Sequence, residues 1–199
     1  MKDILFSLLK LLVFLLTLPL LAAFIIAFKD QIVSLPEPKE VWMLWGAGVY
    51  VALNLFIYNF KEVYVFGKGW AEKVFKPAGY FVPGYSILLI IIYEILLIVD
   101  HGNSMQPYFL LAIAFTLSMH LVQTAHEIYE ADSSILKAHY LCVFGVVLIV
   151  NLFFISLLLA WVIPEFSFVG FIKSLSAQTG HFYKAVYKTL FVDSTVYQK

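Results

Sequence analysis

Five long apolar blocks, almost free of charge and separated by short polar connectors, constrain this chain more than any other feature. They run from Leu11 to Phe28, Val41 to Phe60, Tyr80 to Val99, Pro107 to Ala125 and Tyr140 to Ile163. Each is about 18 to 24 residues long, the length a helix rising 1.5 Å per residue needs to cross a hydrocarbon layer of about 30 Å. Inside such a layer an isolated segment must satisfy its own backbone, so each block is expected to be a helix. The expected fold is an all-α integral membrane protein with about five transmembrane helices (residues 1–164) and a C-terminal amphipathic helix (residues 165–199).

Composition narrows the function classes. With 62% of residues hydrophobic and 13% charged, against about 25% charged in soluble domains, an ordinary water-soluble globule is excluded. Net charge is zero without a run of like charges, so neither a nucleic-acid face nor a polybasic lipid patch is expected. Every basic residue is lysine, which argues against a site built on the bidentate grip of arginine, although compositional bias would produce the same absence. The lone Cys142 excludes an intrachain disulfide and a thiolate metal cluster, and reads as a small core residue. The first apolar run is longer than a signal-peptide core and lacks a small-x-small pattern before Lys29 and Asp30, so it is expected to stay as an anchor.

Along the chain, Lys10 sits where its stem can snorkel, and Pro19 can kink the first segment. Trp42, Trp45, Tyr58 and Tyr64 supply interfacial aromatics at the two ends of the second segment. The connector from Lys61 to Gly79 has Phe66, Trp70 and Val74 at helical spacing, which suggests a helix leaving the bilayer or lying on it. Segment three follows Pro77 and Pro83 and closes at the turn-forming Asp100-His101-Gly102-Asn103. Segment four is expected to continue in water through Glu130. Asp132-Ser133-Ser134 then gives a turn and a helix cap, making segments four and five an antiparallel hairpin. In the tail, Phe168, Phe171, Ile172, Leu175, Phe182, Tyr183, Val186, Tyr187 and Leu190 recur at three and four, opposite Lys173, Lys184 and Lys188, with a weak point at Gly180. Such a helix suits a membrane surface or a partner. The lysines of the long connector favour a cytoplasmic N-terminus, with the C-terminus outside. The expected location is a bacterial inner membrane.

Polar groups at membrane depth are the candidate sites. Glu94 is read either as a proton-relay carboxylate or as a carboxyl near the outer interface, bonded or hydrated there. Asn54 and Asn151 lie mid-segment, where amides hydrogen-bond across helices, each worth roughly 1 kcal/mol. His126 and Glu130 share a helical face and His139 begins the next helix. These three are the candidate ligands for zinc or iron, or else ordinary interfacial residues. His120 lies deeper, where a haem ligand is a further possibility, although no second histidine clearly stands opposite. Otherwise no cofactor is expected.

The stretch Asn59-Phe60-Lys61-Glu62-Val63-Tyr64-Val65-Phe66-Gly67-Lys68-Gly69-Trp70-Ala71-Glu72 resembles a group of membrane proteins similar to site-2-protease-like zinc peptidases, in which a transmembrane helix runs into a His-Glu-x-x-His signature. Pro77-Ala78-Gly79-Tyr80-Phe81-Val82-Pro83, Ala114-Phe115-Thr116 through His120, and the Asn151 segment look like the same group. The resemblance places Lys68 at the first zinc ligand, Gly69 at the general base and Glu72 at the second ligand. Lysine offers no acceptor while protonated, glycine has no side chain, and one carboxylate cannot hold a catalytic metal, so the family's hydrolysis is not expected. The Asp100-His101-Gly102 turn follows too soon to take the family's later Asp-Gly role.

Three functional classes follow. The first and preferred one is a non-enzymatic accessory or scaffold subunit, a pseudo-peptidase contacting lipid bilayer and protein partners. The second is a metal-binding or peptidase-like protein using His126, Glu130 and His139. The third is a small transporter or proton-relay component using Glu94, which the absence of paired broken segments and repeats disfavours.

Overall fold

The computed structural model describes residues 2–57, 59–73, 78–99, 102–132 and 138–192, and its regular elements are all helical. In chain order they are α1 (Lys2–Val33), α2 (Lys39–Phe56), α3 (Lys61–Glu72), the single turn α4 (Ala78–Phe81), α5 (Gly84–Ile98), α6 (Gly102–Ala131), α7 (Ala138–Val162) and α8 (Phe168–Tyr187). Five residues of π-helix, Lys188–Val192, extend α8.

Three of these helices are long and apolar enough to cross a membrane: Ile4–Val33, Met105–Ala131 and Ala138–Val162. The other two apolar blocks are shorter as helices than their sequence suggests. The second stops at Phe56, and Asn59 Oδ1 accepts the Lys61 amide at 3.0 Å to open α3 as a new helix. The third is broken at Val82 and Pro83, because proline lacks the N–H and disfavours helical geometry at the residue before it. That leaves α5 with 15 residues, about 22 Å of rise. Tyr58, Val74, Pro77, Asp100, His101, Ser133 and Ser134 lie outside the described residues.

Contacts give the helix directions. Lys10 lies beside His139, and Phe14 beside Gly145, so α1 and α7 run parallel. Trp42 stacks near Tyr108 and Tyr50 against Phe115, so α2 and α6 also run parallel. Here the approach is close: a Cβ on Gly46 would collide with the Leu111 carbonyl and come within 2.9 Å of Ala114. Helix α5 is antiparallel to α6, with Ser86 bonded to Thr116 at 2.8 Å and Tyr93 against Phe109. The α6–α7 pair is antiparallel too, and the buried Asp132 carboxylate accepts the Tyr140 amide at 2.8 Å, capping the start of α7 from a distance. Ile113, Ile155, Leu159 and Ile163 centre the apolar core.

Residue 164 is not a break in packing. Ser167 caps α8 by accepting the Gly170 amide at 2.9 Å, and Phe171 is fully buried against Phe24, Ala27 and Leu152. Helix α8 therefore shares a small core with α1 and α7.

Candidate functional site

Along α6, His120, Gln123, Thr124, Glu127 and Glu130 recur at intervals of three and four, which lines polar groups along one side of the helix. The helices beside that stripe, α2, α3, α4 and α7, supply matching groups. The result is a polar cluster at the end of the bundle where α3 folds back against α6.

Lys68 is its centre. The ammonium donates to Glu127 Oε2 at 2.6 Å, lies 3.4 Å from Glu72 Oε1 and sits 4.1 Å above the Tyr80 ring. Its side chain is only 9% exposed. Gly79 makes this possible, because a Cβ there would come within 2.7 Å of the Lys68 stem and 2.9 Å of the Glu72 stem. Tyr64 adds a second anchor: its hydroxyl is 2.9 Å from Thr124 Oγ1 and donates to Glu127 Oε2 at 3.4 Å. Burial alone would lower the Lys68 pKa, but the Glu127 hydrogen bond and the neighbouring Tyr64 and Glu127 raise it above the usual lysine value. The Tyr64 hydroxyl is likewise pushed up, chiefly by burial. Lys68 is therefore a fixed cation, and its charge is answered inside the chain.

Beside it, Asn151 is fully buried and saturated. Its amide nitrogen donates to the carbonyls of Tyr80 and Val147, both at 2.9 Å, and Oδ1 faces His120 Nε2 at 3.0 Å. Two carbonyls on the nitrogen side fix the amide orientation, so His120 Nε2 carries the proton and donates. The His120 ring packs near Tyr64, with centroids 6.0 Å apart. This bond and the Tyr80 carbonyl tie α6, α7 and α4 together.

A third group links α2 to α6. Asn54 Oδ1 accepts from Gln123 at 3.1 Å and from Tyr50 at 3.3 Å, while Gln123 also donates to the Tyr50 hydroxyl at 3.2 Å. The fully buried Tyr50 ring meets Phe60 and Phe115 at 5.5 and 5.3 Å. An open pocket of about 250 Å³ adjoins them, lined by Asn54, Asn59, Val122, Gln123 and His126.

The remaining sequence candidates are dispersed. His126 Nε2 lies 3.1 Å from Glu130 Oε1, and Glu130 Oε2 accepts Lys61 at 2.8 Å, all near the surface. His139 lies on another side of α7, 3.4 Å from Lys10. No group of three or more His, Cys, Asp or Glu among the described residues is placed to hold a metal ion, so the structure does not bring His139 to the His126–Glu130 pair. Glu94 lies half-buried one turn from the end of α5. Gly69 faces open space.

Glu127, Thr124, Tyr64 and Gln123 carry much of this cluster and are not singled out by hydropathy. The signal that marks them is the polar periodicity of α6 together with the four-residue spacing of Tyr64, Lys68 and Glu72. No protein-family model, curated protein or solved structure matches the chain.

Proposed function

We propose that the chain is a non-enzymatic integral membrane protein, an accessory or scaffold subunit of a larger membrane complex, related to site-2-protease-like zinc peptidases. Lys68 is the observation that carries this reading. At the position where the resemblance puts a metal-binding histidine, the chain has an ammonium locked between Glu127, Glu72 and the Tyr80 ring. A protonated lysine with its donors engaged has no lone pair for a metal and no proton to exchange near neutrality. What such a group supplies is rigidity, joining α3 and α6 where a peptidase would do its chemistry.

The membrane placement rests on the three long apolar helices, with α2 and α5 as shorter companions. The N-terminus lies in the cytoplasm, and the membrane is a bacterial inner one. Because α8 turns back along α1, the far end of the helix heads toward the side of the bundle where α1 begins.

Mild detergent extraction from native membranes tests this. The chain is expected to migrate with larger membrane partners. Recovery only as a monodisperse monomer would falsify the subunit reading, and stoichiometric zinc lost on His126→Ala would replace it with a metal protein.

A further inference from the structure

Helix α8 has an outward face that nothing among the described residues completes. Two contacts fix its position: a Cβ on Gly170 would lie 3.2 Å from Gln31 Nε2, and the Tyr183 hydroxyl donates to the Leu16 carbonyl at 3.0 Å. Between these points α8 advances about 20 Å and α1 retreats about 22 Å. The two helices are therefore side by side and antiparallel. Most of the stretch of α1 that α8 follows, from Leu16 to Phe28, belongs to the apolar block Leu11 to Phe28, and Lys29 to Gln31 lie beyond it. In the proposed membrane placement α8 thus lies at hydrocarbon depth, not on the bilayer surface.

That depth makes the polar groups near Tyr183 costly, whereas Lys173, level with Phe28, stands at the edge of the apolar block. Lys173, His181 and Lys184 are all exposed and share one side of the helix, away from the buried Phe171. His181 and Lys184 flank Tyr183, near Leu16, which is about 9 Å inside Lys10. Ionisable groups at this depth need a polar partner or water. From Phe168 to Val192 there is no Asp or Glu. Among the described residues no carboxylate forms an ion pair with any of the three. Gly180 lies beside this face, one turn before Lys184, and a side chain there would meet open space.

We infer that this face of α8 docks a membrane-spanning helix of a different protein, one that carries a carboxylate level with Leu16 to accept from His181 and Lys184. Charge selects the occupant. The same face of a second copy would set lysine against lysine, whereas an acidic apolar helix neutralises the stripe and removes it from lipid. The inference rests on the subunit reading and names the chemistry of the partner.

A photo-activatable benzoylphenylalanine at position 180 of the full-length chain, irradiated in native membranes, tests it. The expected product joins Gly180's position to an apolar segment of another membrane protein that contains Asp or Glu. Lys184→Glu in the full chain should then reduce recovery of that protein about 30-fold or more, and exchanging the partner's acid for lysine should restore it. Lys184 is exposed, so the fold should survive, which the helical circular dichroism of the variant checks. Crosslinks only to lipid or to a second copy, or a partner retained to within about twofold after Lys184→Glu, overturn the inference. If partners co-purify while position 180 meets only lipid, the docking face falls and the subunit reading stands. If the chain extracts alone, both fall.

Discussion

Lys68 and Lys184 are the same residue type with opposite fates, and His120 and His181 repeat the contrast. In the α3–α6 cluster each polar side chain described finds its complement within the chain: Lys68 has Glu127 and Glu72, and His120 has Asn151. On α8 the corresponding groups point away from the bundle, with no acidic residue on their own helix. The first region is finished by folding. The second is the face proposed to associate. The difference teaches that a polar residue at membrane depth is informative only together with where its partner is encoded.

The largest expected effect attacks the finished region. Lys68→Ala should destabilise the detergent-solubilised protein by about 3 kcal/mol, because Glu127 keeps a partly buried charge without its cation. Lys184→Ala in the same preparation should change stability by less than about 0.5 kcal/mol. Thermal unfolding followed by circular dichroism compares them, and equal losses would erase the distinction. The Lys68 pKa is raised from its unfolded 10.5, so its contribution is complete below that value and lost only as pH rises through the folded pKa. The Lys68-dependent part of stability should therefore stay flat between about pH 6 and 9.

Asn151→Leu comes next. It removes the acceptor facing His120 Nε2 and one donor to the Tyr80 carbonyl, and should cost about 1 to 2 kcal/mol, measured by denaturation in mixed micelles. Gly79→Ala should cost about 1 kcal/mol by forcing the Lys68 and Glu72 stems apart. In a Lys68→Ala background most of that penalty should disappear, which a double-mutant cycle detects.

A smaller loss than those in the cluster belongs to a pair near the surface. Lys39 donates to both Glu165 oxygens, at 2.8 and 2.7 Å, holding the start of α2 to the α7–α8 connection. The lysine hydrogen bond lowers the Glu165 pKa below 4.5. A depressed carboxyl pKa stabilises above the unfolded value, and the gain fades as pH falls through the folded one. Acid titration should show a loss under about 1 kcal/mol below pH 4.5, absent in Glu165→Gln.

Hydropathy made the long helices legible because apolar length is a one-dimensional property. It overstated the second and third blocks, since Asn59 and Pro83 act on backbone geometry rather than on mean polarity. Asn54 and Asn151 stood out as amides in apolar runs, but their partners Gln123, Tyr50 and His120 come from other helices and no local pattern pairs them. Spacing placed His126, Glu130 and His139 at similar depth. Depth does not fix azimuth, and His139 faces Lys10 on α1. The tail's amphipathic period was readable, yet amphipathicity alone does not distinguish a bilayer surface from the side of another helix.

The bond from Tyr183 to the Leu16 carbonyl joins residues 167 positions apart, and that separation imposes a schedule. During synthesis α1 enters its surroundings long before α8 exists. At about 5 to 20 residues per second the gap is roughly ten to thirty seconds. Through that interval the side of α1 around Leu16 and Phe24 stands uncovered, open to any other apolar helix inserting nearby. Completion of the bundle is therefore a late event, since α8 can take its seat only after α1 to α7 have been made.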